Sequence, residues 1–457
     1  MISEQQIAVD ALLTNSSYAI FDAPGSGKSR MVIEAAKELY SRGLIDTVLV
    51  ICPAAVRISW ADPEFGEIQK WSEYPDILVW RKEKPVLWYP ESTLAWRVVS
   101  YEFVRDHYKW LVDAMTGRHV LMVADESIRI KNPTAKTTKN LIKLSDLSAD
   151  RRIILNGTPG TMLDCYGQYR FLGESAVAPY TSFYGQWRPH FSVWMQKPFP
   201  KLIKYINKPD FDKLTSPITL RRGKSPSLPP KRFSTVAVPL SAGTWKHYCA
   251  MKKDMITWLE KQPSVASNVG VQIMRLSQIT SGFLGGLPGE EAKEISKEKH
   301  DWAVRWFNEK REEDPDFRAI FWCQFRSELL RLQKEIPLAV KIIGGQSEGE
   351  RRAAIEGFTT GDGKALVGQP HAGGYGLNLV RAHNVVYLSR DYSQINREQS
   401  EDRTHRIGQE FPVDYIDVLA EGPNGERTID HVVLKALKAK QDLYKWTASA
   451  WLKELTK

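Results

Sequence analysis

Short runs of apolar residues, each closed by a proline, a glycine or an acidic residue, recur along the first part of the chain. One run ends at Phe21, and three more follow it: TVLVICP (47–53), HVLMVADE (119–126) and RRIILNGTP (151–159). Such runs are typical of parallel strands that are buried on both faces. Apolar residues between Met31 and Tyr40 repeat with the spacing of a helix. About the first 160 residues therefore predict a doubly wound α/β domain.

The same alternation returns towards the end of the chain. Five apolar runs separated by helical patterns predict a second α/β domain. They are RAIFWCQF (318–325), AVKIIGG (339–345), KALVGQP (364–370), NVVYLSR (384–390) and VDYIDVL (413–419). An amphipathic pattern from Ile429 to Leu455 predicts helix that packs on this second domain.

The stretch between the two predicted domains has a different character. Aromatic-rich and helical segments replace the strand pattern, and RRGKSPSLPPKR (221–232) has the proline, serine and charge content of a linker. We therefore expect an N-terminal domain over residues 1–222, with a helical protrusion from about 162. A linker with a second helical protrusion follows over 223–295, and a C-terminal domain with a bracing helix occupies 296–457.

Length and composition agree with several domains in a reducing compartment. A chain of 457 residues exceeds the size of one hydrophobic core, which predicts two or three domains. Its 4 cysteines form no CxxC pair, so neither a zinc site nor a disulfide framework is indicated. There is no basic-then-apolar leader and no apolar run of about 18 residues. We expect an intracellular protein without a membrane partner, in the cytoplasm of a bacterium or of a phage-infected host.

Positive charge is concentrated in the middle of the chain. The net charge is +9, and the stretch from Lys197 to Arg232 holds ten Lys or Arg residues against Asp210 and Asp212, a local excess of 10 − 2 = +8. This excess fits a track for nucleic-acid phosphates and fits a solvated linker equally well.

The segment FDAPGSGKSR (21–30) has the pattern of a phosphate-binding loop between a strand and a helix. Gly25, Ser26 and Gly27 would bring the backbone close to phosphate oxygens, at a helix N-terminus that carries partial positive charge. Lys28 would neutralise the β- and γ-phosphates of ATP, and Ser29 would bind Mg²⁺. Asp22 stands where such loops usually have their first glycine, and the alternative for the bare string is a coincidental turn.

Two further groups suggest nucleotide hydrolysis. Asp125 and Glu126 end an apolar run, an arrangement in which one carboxylate holds Mg²⁺ and the next polarises the attacking water. The alternative for this pair is a helix N-cap. Arg403 and Arg406 in QSEDRTHRIGQ (399–409) are spaced for one face of a helix and would stabilise the charge of a transition state. Their alternative is a salt-bridged surface helix.

These segments together resemble the Swi/Snf-type DNA translocases, which are helicase-like ATPases of superfamily two. The string DAPGSGKS is similar to their first motif, in which an aspartate also replaces the first glycine, and VLVICPAAVRISWADPEF (48–65) is similar to the next. Further segments follow in the family's order, namely VSYE, DESIRIKN, LNGTP and LRRGKSPSLPPKR. The late strings GGQSEGERRAAIEGF, AGGYGLNLVRAHNVVYLSRDYS and QSEDRTHRIGQ resemble the family most closely. The resemblance covers nearly the whole chain.

The resemblance implies a fold and a set of residue roles. The fold is α/β, with two tandem RecA-like doubly wound parallel-sheet domains and helical insertions between them. ATP and Mg²⁺ would bind in the cleft between the domains, with Arg403 and Arg406 reaching across it. Gln5 would read the adenine, and Gly376 and Gln399 would also belong to the nucleotide site. Closing and opening of the cleft would move the protein along double-stranded DNA without parting the strands.

Contacts with DNA would be made mainly to phosphates, because a translocase must tolerate any sequence. The candidates for these contacts are Lys131, Asn132, Thr158, Arg221, Arg222 and Asn378. Two departures from the family concern the coupling of hydrolysis to DNA: Ile128 replaces a polar residue, and GTPGTM (157–162) lacks the usual Gln-Asn. The chain also leaves no room for nucleosome-reading modules, so we expect a minimal motor of the phage or bacterial kind.

Two alternatives to a translocase remain at this stage. One is a helicase that separates the strands of DNA or RNA. The other, from a different class, is a DNA-binding protein that no longer hydrolyses ATP because of Ile128. The complete set of Lys28, the acidic pair and the two arginines argues against the second alternative.

Overall fold

The computed structural model describes residues 3–73, 75–81, 93–180, 184–195, 201–223, 228–261, 266–285, 292–370, 379–439 and 448–456. Contacts divide the chain into two compact units, Met1–Pro226 and Ser227–Lys457, and each is described by itself. The domain boundaries inferred from the sequence stay predictions. In the part of the chain described, no helix is both long enough and apolar enough to cross a membrane.

The first unit is built on a parallel sheet. The strands of this sheet are β1 Ser17–Ile20, β2 Thr47–Cys52, β3 Asp76–Val79, β4 Ala95–Ser100, β5 Val120–Asp125, β6 Arg151–Leu155 and β9 Thr219–Leu220. A separate hairpin is formed by β7 Ser192–Met195 and β8 Lys201–Tyr205. The sheet has the order β3-β4-β2-β5-β6-β1-β9, and all its neighbouring strands are parallel. Every residue of β2 and β4 is buried, as their continuous apolar character requires.

Helices cover the sheet of the first unit. They are α1 Ser3–Thr14, α2 Lys28–Ser41, α3 Arg57–Ala61, α4 Glu67–Trp71, α5 Tyr101–Met115, α6 Lys136–Ser148, α7 Met162–Phe171, α8 Tyr184–Phe191 and α9 Lys208–Thr215. Helix α2 buries Met31, Val32, Ala35, Ala36 and Leu39, the stripe that its apolar spacing predicts. Because this stripe faces the core, the N-terminus of α2 is held next to the end of β1.

The second unit has its own parallel sheet. The strands of this sheet are β10 Lys231–Pro239, β13 Ala319–Trp322, β14 Ala339–Ile342, β15 Ala365–Gly368, β16 Asn384–Tyr387 and β17 Val413–Glu421. A short separate hairpin is formed by β11 Phe283–Leu284 and β12 Lys293–Glu294. The sheet has the order β10-β17-β16-β13-β15-β14, again with all neighbours parallel. The five apolar runs at 318–419 correspond to β13–β17, as predicted.

The second unit also contains helices in the part of the chain that the structure describes. They are α10 Ala242–Lys261, α11 Ala266–Thr280, α12 Glu298–Glu313, α13 Arg326–Glu335, α14 Glu348–Thr359, α15 Gln394–Glu401, α16 Ile429–Lys438 and α17 Ala448–Leu455. Helices α16 and α17 share a buried cluster with α10 and α11, in which Tyr248, Leu276 and Trp451 take part. The predicted C-terminal helical pattern therefore packs on the second unit, as expected.

The fold class predicted from the sequence, two successive parallel α/β domains, is confirmed, but four strands of the two large sheets, β3, β4, β9 and β10, were missed. Strand β4 contains Arg97, which is fully buried and pairs with Asp76 of β3 at 2.8 Å. A central charged residue hides the strand pattern, and its burial is tolerated because its charge is paired with Asp76. Strand β10 begins at Lys231, within the segment 221–232 that the sequence analysis reads as a linker. Most of β10 is exposed at the sheet edge, so it lacks an apolar run. Strands β3 and β9 are short.

Glu328 is a buried acid at the carboxyl edge of the second sheet. Its carboxylate accepts a hydrogen bond from the Ser389 hydroxyl, and Ser389 in turn accepts one from the backbone N–H of Gln324 at 2.7 Å. Burial raises the pKa of Glu328 to about 7. The charge of Lys299 lowers this pKa and the charge of Asp430 raises it, but burial has the largest effect. The carboxyl group is therefore easier to protonate in the folded protein than in the unfolded chain.

We expect Glu328→Gln to weaken the pH dependence of stability. The folded-state pKa lies above the ordinary value of 4.5, so the stabilising contribution is complete below that value and is lost as the pH rises through about 7. The wild type should lose on the order of 2 kcal/mol relative to the variant between about pH 5.5 and about pH 8. Melting temperatures of both proteins at the two pH values check this. Parallel pH profiles would contradict it.

Candidate nucleotide site

Three loops meet at the carboxyl edge of the first sheet. They follow β1, β5 and β6, which are neighbours in the order β5-β6-β1. Because parallel strands end at the same edge, the order alone brings the loops together. The contact is close: a Cβ atom on Gly157, after β6, would lie 2.7 Å from Cγ of Pro24, after β1. Any side chain larger than hydrogen at Gly157 would push the two loops apart.

The loop after β1 has the backbone of a phosphate-binding loop. Gly25 and Gly27 have φ values of 81° and 84°, in the left-handed region that favours glycine. Gly27 is the N-cap of α2, so the first N–H groups of this helix are presented at the loop. The Lys28 ammonium donates to the carbonyl oxygens of Asp22 at 2.9 Å and Ala23 at 3.2 Å. Ser26 and Ser29 are both half-buried.

Gln5 lies against the same loop, 21 residues away in sequence from its contact. It is buried in α1, and its side-chain N–H donates to the Ser26 carbonyl at 3.1 Å. A Cβ atom on Gly27 would lie 2.4 Å from the Gln5 nitrogen, so a larger residue there would displace the Gln5 amide, and the φ of 84° independently favours glycine. The structure therefore brings Gln5 beside the residues that the sequence assigns to phosphate binding.

Asp22 forms a buried ion pair with Arg222. Its side chain is 1% exposed, and its carboxylate accepts from Nε of Arg222 at 3.0 and 3.2 Å and also from Nη2. Arg222 was predicted to contact DNA, but in the structure its guanidinium contacts the phosphate-binding loop. Arg221, next to it, is exposed.

The acidic pair is held by groups from two other segments. Asp125 accepts from the indole N–H of Trp60 at 2.8 Å and from the backbone N–H of Glu126 at 2.9 Å. Its carbonyl oxygen accepts from the Tyr101 hydroxyl at 2.8 Å. Burial raises the pKa of Tyr101 well above its usual range, and the Asp125 charge raises it further, so this phenol stays a donor. The roles of Trp60 and Tyr101 as donors were not predicted.

Glu126 has a left-handed backbone. Its φ and ψ are 53° and 50°, a conformation that costs energy for any residue other than glycine.

Asp125 and the hydroxyl of Ser29 supply oxygen atoms of the kind that Mg²⁺ prefers. The chemistry of this donor set fits magnesium. In the part of the chain described, no cluster of three or more His, Cys, Asp or Glu side chains forms another candidate metal site.

Gln168 connects the loops after β5 and β6 and was missed from the sequence. It is fully buried in α7, where its carbonyl oxygen accepts from the Ser127 hydroxyl at 2.7 Å and from the Asn156 amide at 3.3 Å. Its amide donates to the carbonyl oxygens of Pro159 at 2.7 Å and Asp164 at 3.0 Å. All four hydrogen-bonding positions of the amide are used. Only the fold reveals this, because the partners come from separate segments.

Ile128, the apolar residue in the acidic motif, packs against the second unusual segment. Its Cδ1 atom is 3.0 Å from the position that a Cβ atom on Gly160 would occupy. Gly160 has a φ of 88°, and the following helix begins with a capping box between Thr161 and Asp164. The two departures noted in the sequence are therefore neighbours, because the Ile128 side chain faces Gly160.

The predicted residues of the second unit have a different local structure from the one expected. Helix α15 contains the buried Gln399 but ends at Glu401, so the prediction that Arg403 and Arg406 lie on a helical face is wrong. The Glu401 carbonyl accepts from the hydroxyls of Thr404 at 3.0 Å and Tyr415 at 2.8 Å, and also from the backbone N–H of His405 at 3.1 Å. The two arginines lie in the turns that follow.

Arg403 is buried, whereas Arg406 is half-buried. Burial lowers the pKa of Arg351 in α14, and the nearby charge of Arg403 lowers it further, so two cations lie close together in the second unit. Gly376 and Asn378 lie outside the described residues.

The remaining predicted DNA contacts lie on the first unit. Lys131 and Asn132 are exposed after the acidic motif, where Asn132 accepts from the backbone N–H of Thr134 at 3.0 Å. Thr158 is half-buried, and its backbone N–H donates to the Asn156 side chain at 3.1 Å. Their roles in DNA binding stay predictions.

Comparison with known families gives two matches that together span most of the chain. Residues 10–281 match the SNF2-related domain, and residues 298–408 match the helicase conserved C-terminal domain. Protein p41 of the Acyrthosiphon pisum secondary endosymbiont phage 1 is 25% identical over 95% of this chain and 98% of its own length. An uncharacterized ATP-dependent helicase of Mycoplasma genitalium is 26% identical over 93% of this chain, which spans only 40% of that relative.

Among solved structures, the chain is similar to the Sulfolobus solfataricus SWI2/SNF2 ATPase core in complex with dsDNA. The identity is 20% and the TM-score is 0.45, over 99% of this chain and 94% of the other.

We expect Gln168→Leu to destabilise the first unit by on the order of 2 kcal/mol, because it leaves the Ser127 and Asn156 side chains and the Pro159 carbonyl without their buried partner. Gln69→Leu is the matched control, since Gln69 is exposed on α4 and its change should cost less than about 0.5 kcal/mol. Urea unfolding measures both. Equal stabilities would show that the Gln168 bonds contribute nothing.

Proposed function

Because the chain belongs to the SNF2-related family, we propose that it is an ATP-driven motor that moves along double-stranded DNA. Membership of this helicase-like family makes it an ATP-hydrolysing enzyme. The choice of duplex DNA as the track, and of translocation rather than strand separation, is the proposal. Magnesium as the metal is part of the same proposal.

One observation carries the assignment of the site: the loops after β1, β5 and β6 converge on one edge of the first sheet. This edge presents a helix N-terminus and an ammonium group for phosphates, and a strained acidic residue beside them. A helix N-terminus attracts anions through its exposed N–H groups. Phosphate affinity and a carboxylate next to it are the two requirements for hydrolysing a nucleotide with water.

In the proposed reaction, Lys28 leaves the two carbonyl oxygens that it now contacts and pairs with the phosphates of ATP. Ser29 and Asp125 would hold the Mg²⁺ ion, which supplies neutralisation of phosphate charge when bound. Trp60 and the Glu126 N–H keep the Asp125 carboxylate in one orientation. Glu126 accepts a hydrogen bond from the attacking water and orients it towards the γ-phosphate.

The second unit contributes positive charge in the proposal. Arg403 and Arg406 would stabilise the negative charge that develops on the transferred phosphoryl group. These residues lie in turns rather than in a helix, and hydrogen bonds to the Glu401 carbonyl help to hold those turns in place. Burial and the charge of Arg403 both lower the pKa of Arg351, which places a second positive charge in this region of the second unit.

Duplex DNA as the partner is supported by charge. The chain carries a net charge of +9, and Lys131 and Arg221 are exposed on the first unit, which also holds the candidate nucleotide site. Exposed cations bind phosphates without reading bases, as a motor that tolerates any sequence requires. Repeated changes in grip, driven by binding and hydrolysis of ATP, would then move the protein along the duplex.

The test is ATP hydrolysis by the purified protein with no nucleic acid, with single-stranded DNA, with duplex DNA and with RNA. We expect duplex DNA to raise turnover by roughly tenfold or more and the other polymers to raise it far less. Stimulation by single strands, together with unwinding of a tailed duplex, would replace translocation with strand separation. Binding of DNA without hydrolysis under any condition would favour the non-hydrolysing alternative.

Two variants should separate binding of ATP from its hydrolysis. Lys28→Ala is expected to lose ATP binding, because it removes the cation from the loop. Glu126→Gln should bind ATP normally yet turn over roughly 10²- to 10⁴-fold more slowly, since the amide no longer accepts the proton of the water. Glu102→Gln, an exposed acid on α5, is the matched control for loss of charge and should keep normal turnover. Normal turnover in Glu126→Gln would remove this residue from the reaction.

A further inference from the structure

We infer that Arg222 is a positioning residue of the nucleotide site, which ties the helix that carries Gln5 to the phosphate-binding loop and thereby sets affinity and base selectivity for ATP. This inference rests on the proposed function, because it takes the loop at 22–29 as the site of ATP. It replaces the DNA contact that the sequence predicted for Arg222.

Arg222 balances the negative charge of Asp22. Asp22 puts a carboxylate in a loop that must approach the phosphates of ATP, and burial of an unpaired carboxylate is costly. Nε and Nη2 of Arg222 both donate to this carboxylate, in the two-pronged geometry that suits a guanidinium. With Arg222 present, the pair is close to neutral and phosphates can approach. Without it, the loop would hold an uncompensated negative charge.

Arg222 also contacts the helix that carries Gln5, the residue that would read the adenine base. Nη1 of the same guanidinium donates to the carbonyl oxygen of Glu4, which precedes Gln5 in α1. The Gln5 amide in turn contacts the Ser26 carbonyl of the loop. One side chain therefore contacts the phosphate-binding loop and the helix that carries the proposed adenine-reading residue. Loss of Arg222 would leave α1 attached to the loop by fewer bonds.

The backbone at Arg222 and just before it also forms hydrogen bonds to the residues that begin the phosphate-binding loop. The carbonyl oxygen of Arg222 accepts from the N–H of Ala23 at 3.0 Å, and that of Leu220 accepts from the N–H of Phe21 at 2.8 Å. Strand β9 pairs with β1 just before the loop begins. A residue 200 positions away in sequence from Asp22 is thus held rigidly next to it. A lysine could replace the charge but not the fork that makes three contacts.

The experiment compares Arg222→Ala with Arg42→Ala, which removes the same charge from an exposed position of the first unit that has no part in either proposed site. Binding of ATP and of GTP is measured by calorimetry without DNA, on the full chain. Arg222→Ala should bind ATP roughly tenfold more weakly or worse, and its preference for ATP over GTP should fall. Arg42→Ala should keep both values. Arg222→Lys should recover most of the affinity and little of the preference.

A second change separates the two contacts of Arg222. Adding Asp22→Asn to Arg222→Ala removes the uncompensated carboxylate, so ATP affinity should recover while the preference for ATP stays low, because the Glu4 contact is still missing. Melting temperatures of all variants show whether each is folded. If Arg222→Ala does not fold, the comparison of ATP and GTP binding is made with Arg222→Lys instead. A role confined to stability would lower the melting temperature without changing the ratio of ATP to GTP affinity.

Two results would overturn the inference. In the first, wild type and Arg42→Ala bind ATP, and Arg222→Ala binds it equally well with unchanged preference. The proposed function then stands and the inference fails. In the second, Arg222→Ala keeps its nucleotide binding but flattens the salt dependence of DNA binding, which would restore the DNA contact. Failure of the wild type to bind ATP, as for Lys28→Ala, would instead reject the proposed function itself.

Discussion

The close packing of Gly157 against Pro24 is the constraint on which the rest of the site depends. It fixes how near the loop after β6 can come to the phosphate-binding loop. The parallel order of β5, β6 and β1 brings the loops to one edge, but only a residue without a side chain allows them to touch. Gln168 then fixes the spacing on the other side, between the loops after β6 and β5. The acidic pair is thereby held at a set distance from the loop that would carry the phosphates.

Buried polar groups define this edge more than apolar packing does. Asp22 with Arg222, Asp125 with Trp60, and Gln168 with Ser127 each join segments far apart in sequence. A buried pair of this kind contributes little net stability, but removing one member is costly because the other is left unpaired. Such pairs therefore specify one arrangement of the loops rather than strengthen the fold. A reaction that needs reacting groups in fixed positions benefits from that specificity.

The sequence predicted most of the sheets because their strands are continuous apolar runs with clear ends, as in TVLVICP. It failed where the determining contact is distant. Arg97 makes a strand look polar until Asp76 is placed beside it, and β10 is recognisable only once β17 pairs with it. The same limit applies to the site. Lys28, Asp125 and Glu126 carry a local pattern, whereas Gln168 and Arg222 acquire their contacts only through the fold. The turn at Arg403 was missed because its contacts are not local: the Tyr415 hydroxyl, which donates to the Glu401 carbonyl, lies beyond the motif.

The pairing of β10 has a consequence for how the protein is made. This first strand of the second unit binds along all its nine residues to β17, and Arg232 contacts Asp414, 182 positions later. During synthesis, β10 leaves the ribosome long before its partner exists, and its row of N–H and C=O groups stays open to wrong pairing. Lys231 and Arg232 at its start carry like charges that repel a second copy of the strand. In the completed unit, Lys231 pairs with Glu401 and Arg232 pairs with Asp414. The same two cations therefore first oppose wrong pairing of the nascent strand and later form ion pairs in the folded unit.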